Sequence, residues 1–424
     1  MQTVVDSMKT STPEDPAFYQ GFIARQAVFD AKRAIWGYEI FYRQNKNAAQ
    51  AATDHKSMLE VATRAFLSPQ WQQSPTSYLL VTLDPQSDPD DITGVLPKGR
   101  SVLKVSEDAL AAPGMQDILV RLRQENYLIA LGDFTGRLSG SPLLNMVDIL
   151  AVDMQRDNRS ALIADAMAQR VQRPMQILAK KVEDVQTFAV AKDAGCALFQ
   201  GFFFQKPERI SSKVITSSLA GSLGILKMLE QEDPDISALA QAIQKDVSLS
   251  YRLLKFLNSP YFGFAREVSS IKVALILAGW QQMRTWLRLV LITEMKPKHK
   301  PNELVFLSAQ RGRFLELAAQ RTGGRRMNSE RLLLLGLFSL LDSIFDMQME
   351  DIVSSLPLDQ EIKDTLCLRP TALSPWLGLV HSFERADWQE LESRFAVLGV
   401  DPVEVAACYT ESMQWAHAIF NFLS

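Results

Sequence analysis

The hydrophobic period of this chain changes once, near Pro207, and that change limits what each half can fold into. Before it, short apolar runs alternate with stretches of helical spacing. FIARQAVFD (22–30) and IWGYEIFYR (35–43) read as two strands joined by a short polar turn, with a helix expected over 48–67. SYLLVTLD (77–84), SVLKVSE (101–107), LIALGDF (128–134), VDILAVD (147–153), MQILAKKVE (175–183) and ALFQGFFF (197–204) continue the strands, with helices near 115–127, 159–171 and 184–194. Strands alternating with helices imply parallel βαβ units, and near-continuous apolar strands such as DILAV fit a sheet covered on both faces. Seven or eight such units within roughly 190 residues suit a small closed (β/α)8-type barrel better than an open sheet. Barrel strands end in polar tips, where Glu107, Asp133, Asp153 and Glu183 fall.

After Pro207 apolar residues recur three and four apart, as in ISALAQAIQKD, MRTWLRLVLITEM and ELVFLSAQRGRFLELAAQRTG. Asp233-Pro234, Asn258-Ser259-Pro260, Pro297, Pro301 and Gly323-Gly324 separate the segments, so the second half reads as all-helical. The expected division is a loose leader over 1–18, a barrel over 19–207 and a helical domain over 208–424. The junction near 208–217 has no long flexible tether, so the two domains are expected to dock rather than swing.

A net charge of −3 with pI ≈ 5.9 offers no basic excess to hold a nucleic-acid backbone, so bulk charge argues against that class of partner. Cys196, Cys367 and Cys408 are too scattered for a disulfide framework or a zinc site and read as small hydrophobes in a reducing cytoplasm. The first 20 residues lack the basic start and apolar core of a signal peptide. The most apolar run, Leu332 to Leu341, falls short of the ~20 residues a membrane span needs and reads as a buried helix. His55, His299, His381 and His417 stand at no ligand spacing. Trp280, Met283 and Trp286 recur at helical spacing and point to core packing. Gly323-Gly324-Arg325-Arg326 reads as a solvated basic turn.

Several motifs in sequence carry a resemblance. RQAVFD (25–30), GYEIFYR (37–43) and QGFFFQKP (200–207) are similar to the opening, signature and closing segments of the EAL domain, the barrel of cyclic di-GMP phosphodiesterases. KDVSLSYRLLKFLNSPYFGFAREVSSIKVALILAGW (245–280) resembles an HDOD domain. The whole resembles the two-domain EAL–HDOD proteins.

An active EAL barrel, as the resemblance implies, holds divalent ions on carboxylates and an Asn, which activate water and neutralise phosphoryl charge. Glu39 matches the signature Glu, Arg43 the Arg that follows it, Glu107 a strand-end Glu and Gln200 the closing Gln, while Gln26 stands in the opening segment. Thr82 replaces the metal-ligating Asn, and Gly132 replaces the first Asp of an Asp-Asp pair whose second member is Asp133. Ala151 replaces the Lys of Lys-x-Asp, whose Asp is Asp153, and Lys180 replaces a Glu of the segment ending in Glu183. Loss of one general acid–base group costs ~10²–10⁴ in rate. The expectation is therefore a degenerate EAL barrel without catalytic residues, tight metal or cofactor. The chain would be a non-catalytic cytoplasmic adaptor with a regulatory protein partner and a homodimeric state, in a cyclic di-GMP circuit of motility or attachment. Two alternatives stand beside it: a receptor that binds cyclic di-GMP on Gln26, Glu39, Arg43, Glu107, Asp133, Asp153, Glu183 and Gln200, and a residual phosphodiesterase. In the helical domain, Ser339 and Asp342 are all that stand where related hydrolases carry a His-Asp pair.

Overall fold

A computed structural model describes residues 21–44, 77–83, 95–170, 174–206, 217–231, 233–245, 247–257, 280–297, 299–322 and 328–423. The expected leader, the 48–67 helix with His55, the 208–217 junction except Ser217, the Gly323–Arg326 turn and much of the 245–280 segment lie outside the described residues.

Eight strands close into one barrel in sequence order. They are β1 (Gly21–Asp30), β2 (Ile35–Gln44), β3 (Tyr78–Thr82), β4 (Ser101–Val105), β5 (Leu128–Leu131), β6 (Ile149–Asp153), β7 (Gln176–Lys180) and β8 (Leu198–Gln200). From β2 to β8 neighbours are parallel, as the βαβ pattern implied. β1 departs from that pattern. It runs antiparallel to both β2 and β8, because the turn at residues 31–34 is too short for a parallel crossover. Asp30 sets that turn, its Oδ1 accepting from the backbone N–H of Lys32 at 2.8 Å and of Ala34 at 2.9 Å. Helices α1 (Glu107–Ala111), α2 (Met115–Gln124), α3 (Arg159–Arg170) and α4 (Val185–Asp193) follow β4, β4, β6 and β7. Ser106 and Asp184 cap α1 and α4 through their side-chain oxygens. Inside the barrel one layer is dry: Val28, Leu80, Val102, Ala130, Ala151, Leu178 and Leu198 are all fully buried against one another.

Past residue 207 every described element is helical. These are α5 (Ser217–Leu229), α6 (Ile236–Gln244), α7 (Val247–Leu257), α8 (Trp280–Met295), α9 (Glu303–Arg321), α10 (Ser329–Phe338), α11 (Leu341–Phe345), α12 (Met349–Ser354), α13 (Gln360–Leu366), α14 (Ser374–Glu384), α15 (Trp388–Leu398) and α16 (Pro402–Leu423). The apolar run from Leu332 is indeed a buried helix, and Met283 and Trp286 are core, Trp286 stacking on Phe256 at 4.7 Å. α9 and α10 pack with backbones nearly touching. A Cβ on Gly336 would lie 2.5 Å from the Arg311 carbonyl carbon, so only glycine fits there. No helix among the described residues is long and apolar enough to cross a membrane.

The helical half grips the outer face of the β1–β2 hairpin. Arg25 on β1 and Tyr38 on β2 both reach Glu303 in the first turn of α9, at 3.2 Å and 3.0 Å. The Arg25 guanidinium is sandwiched between the rings of Tyr38 and Phe306, 4.3 Å and 4.1 Å from their centroids. It also donates to His417 Nε2 on α16 at 3.0 Å. Phe22 stacks on Phe395 at 5.7 Å, and Gln205 accepts from Arg311, which forks onto Glu384 at 2.7 Å and 2.6 Å. Ser339 and Ser343 belong to the same seam, Ser339 taking a bond from Arg311 and Ser343 bonding the Gln205 carbonyl.

Removing one partner of a buried ion pair strands the other, at about 3–5 kcal/mol. Arg25→Ala is therefore expected to lower the urea midpoint sharply, while Arg25→Met with Glu303→Leu recovers most of it; equal losses in both variants would contradict the pairing. Burial and the facing guanidinium push His417 down to about 3, and burial with nearby Arg311 pushes His381 down to about 4. Both rings take up a proton in the unfolded chain near pH 6.5 but resist it when folded. Stability is thus complete above that pH and falls on acidification towards 4, by up to about 1.4 kcal/mol per pH unit for each ring. Unfolding curves of a His417→Gln/His381→Gln variant should show that slope flattened.

Candidate active site at the barrel mouth

Strand alternation that buries Leu80, Val102 and Leu178 turns the residues two positions further inward at the C-terminal ends. The mouth layer is therefore Glu39, Thr82, Lys104, Asp153, Lys180 and Gln200, with Gly132 just past β5. Glu39 is its centre and is fully buried. Lys104 Nζ pairs with its Oε1, and Gln200 Nε2 donates to its Oε2 at 2.6 Å. Burial acts to raise the Glu39 pKa, but the charges of Lys104 and Lys180 and the bonds from Lys104 and Gln200 outweigh it. The carboxyl is held below its ordinary value.

Lys104 escaped the motif-based reading. Its signal was there: a lysine inside an apolar strand, in period two with inward Val102. Gly132 and Lys104 explain one another. A Cβ at 132 would sit 2.9 Å from Lys104 Cγ and 3.0 Å from Cδ, so the glycine leaves the channel the lysine stem occupies. Lys180 comes from the other side, donating to the Gly132 carbonyl at 3.3 Å and standing 3.5 Å from Asp133. The mouth thus presents two ammonium groups to one buried carboxylate.

The other sequence candidates are less convergent. Gln26 sits opposite Glu39 in the β1–β2 register and is half-buried. Arg43 lies opposite Phe22, and its side chain is outside the described residues. Glu107 is engaged locally, accepting from the Thr135 N–H at 2.8 Å and from its hydroxyl. Asp133 is largely exposed and Glu183 half-buried. Asp153 pairs with Lys181 at 2.8 Å. Burial raises its pKa, and the Lys181 and Gln155 bonds outweigh that and lower it. Thr82 is exposed and Ala151 is part of the dry layer.

This donor set does not fit a divalent ion. Both Glu39 oxygens are taken, one by a cation, and both Glu107 oxygens are held by Thr135. Among the described residues no three His, Cys, Asp or Glu side chains gather closely enough to ligate one.

A closed barrel carrying a polar mouth and docked on a helical bundle defines a two-domain class, and the comparisons agree. The family model described as EAL domain matches residues 92–207, and that described as HDOD domain matches 222–352. The hairpin bearing Glu39 precedes the matched span. Cyclic di-GMP phosphodiesterase CdgJ of Vibrio cholerae is 30% identical over 417 residues, 97% of this chain and 96% of that protein. YuxH of Bacillus subtilis, named only as uncharacterized, is 27% identical over 94% of this chain and 99% of its own length. Among solved structures, the manganese and cyclic di-GMP complex of Klebsiella pneumoniae BlrP1 is 23% identical, covering 45% of this chain and 56% of that one, with a TM-score of 0.38. The chain belongs to the EAL–HDOD family.

The expectation of a non-catalytic adaptor, inactive as an enzyme, is overturned by the first of these relatives, which spans almost the whole chain and is named as an enzyme. The physical reason for the error lies in the substitutions. Counted one at a time they are losses, yet Gly132, Lys104 and Lys180 form one rearranged set.

Calorimetry with Mg²⁺ or Mn²⁺ should show no saturable uptake by the free protein below millimolar concentrations. Lys104→Ala, Gly132→Asp and Lys180→Glu together remove the cations and restore two carboxylates, and are expected to create uptake. Tight uptake by the unaltered chain would contradict this account of the mouth.

Proposed function

We propose that this chain is a cyclic di-GMP phosphodiesterase of low turnover, working at the barrel mouth. The observation that carries the reading is the whole-length relationship to a protein of that name. The reaction adds water across one phosphodiester P–O bond and opens the cyclic dinucleotide to a linear one. The chain's own contribution is electrostatic. Lys104 and Lys180 offer ammonium groups towards the non-bridging phosphoryl oxygens, whose negative charge grows as water adds. Glu39, kept ionised between them and held by Gln200, fixes the Lys104 ammonium in place. The substitutions at Thr82, Gly132, Ala151 and Lys180 relative to the EAL pattern are the reason turnover is slow in this reading. The expected homodimer, regulatory protein partner and cytoplasmic setting belong to the same reading on the family resemblance. Light scattering on the purified chain tests the dimer.

Chromatography of cyclic di-GMP incubated with the full-length protein should reveal linear dinucleotide, formed with or without EDTA. Lys104→Met or Lys180→Met is expected to slow it by ~10²–10³, the usual cost of removing one group that stabilises transition-state charge. Absence of linear product over a no-protein control, with either Mg²⁺ or Mn²⁺ present, would defeat the proposal.

A further inference from the structure

The barrel mouth has two walls, and the helical half holds one of them. Glu39 on β2 and Gln200 on β8 belong to the first wall, and β1 pairs with both of those strands. Lys104 on β4 and Lys180 on β7 belong to the second. Among the described residues, none of the hydrogen bonds or ion pairs that join the halves involves β4 or β7.

Two ties secure the first wall, and both start on α9. In the first, Glu303 accepts from the Tyr38 hydroxyl at 3.0 Å, one residue along β2 from Glu39. Both side chains are buried, so water does not replace that bond. In the second, Arg311 donates to the Gln205 side chain at 2.8 Å in the turn Phe203–Gln205, just past Gln200. Ser343 on α11 donates to the Gln205 carbonyl, and Arg385 on the helical side lies over the Phe202 ring, 5.3 Å from its centroid. Arg311 is itself fixed by its fork onto Glu384. Eight residues of helix separate Glu303 from Arg311, about 12 Å along the axis. A hold at two such points resists both sliding and rotation of the wall.

What the first wall carries is sensitive to small displacements. The Glu39–Lys104 attraction falls with separation, and the Gln200 bond to Glu39 depends on angle as well. We propose that the helical half governs the mouth by setting its first wall against the second, with Tyr38, Glu303 and Gln205 as positioning residues for the Glu39–Gln200 pair. The geometry stands on the contacts alone, while its consequence for turnover rests on the phosphodiesterase reading. A displacement of α9 against the barrel passes to Glu39 through one buried hydrogen bond and to Gln200 through one turn. The lysines of the second wall are left where they are.

Carbon-13 NMR of the full-length chain labelled at the glutamate carboxyl carbons tests this. The Glu39 signal is the one lost in Glu39→Gln. Tyr38→Phe/Gln205→Ala cuts both ties but keeps the ring beside Arg25 and the Arg311–Glu384 fork, so circular dichroism should show it folded. Its Glu39 signal is expected to shift at neutral pH. For cyclic di-GMP, kcat should fall ~10-fold or more with KM little changed, the mark of a misplaced transition-state contact. Leu239→Ala, at a buried position on α6, opens a cavity in the helical half without touching either tie. It should lower stability and leave the Glu39 signal in place. An unmoved Glu39 signal in Tyr38→Phe/Gln205→Ala, an equal shift in Leu239→Ala, or an unchanged kcat would overturn the proposal. A shifted signal in a chain whose unaltered form yields no linear dinucleotide supports the positioning and defeats the phosphodiesterase reading, so the two failures are told apart.

Discussion

The buried contact of Arg25 with Glu303 is the constraint on which the rest of the arrangement depends. A guanidinium at 2% exposure cannot stay charged in an apolar seam without a counter-charge and aromatic faces, and it has both. Burial, the largest influence on Glu303, raises its pKa, and Arg25 with the Tyr38 hydroxyl offsets part of that. Glu303 also stands at the start of α9, where a helix favours negative charge. Each group is tolerable only while the two halves are docked, so the seam specifies orientation more than it contributes net stability.

That seam lies on the outer face of the hairpin whose inner face carries Glu39. Alternation along β2 sets Tyr38 against the helical half and Glu39 into the mouth. The two residues are chain neighbours on opposite faces of one strand. A shift of the hairpin that repacked Tyr38 would also move Glu39 relative to Lys104 and Gln200. The physical route from the helical domain to the site is therefore one strand thick. Across the barrel, the Gly132–Lys104 fit shows how a site changes character through a pair: space vacated by one side chain is filled by the stem of another, and a charge comes with it.

Much of this was legible beforehand. The break in period near Pro207, all eight strands and the position of Asp153 at a strand tip follow from alternation and motif order, because those patterns are local. Glu107, Asp133 and Glu183, expected at tips as well, fall two or three residues past the ends of β4, β5 and β7. Lys104 was missed because motif comparison looks at positions already known to matter, whereas its role comes from strand parity and from an absent side chain on β5. The antiparallel setting of β1 was half visible in its short turn. Pairing with β8 was not, because it joins residues far apart in sequence.

Chain chemistry alone settled the class of each half: period-two apolar runs can only be covered strands, and period-3.6 runs with proline and glycine breaks can only be packed helices. Which charges meet was left to the closed fold. Arg25 to Glu303, Lys104 to Glu39 and Arg311 to Glu384 are each brought together from separated elements. Coulomb energy depends on distance and burial, and neither exists until the barrel closes and the helices dock against it.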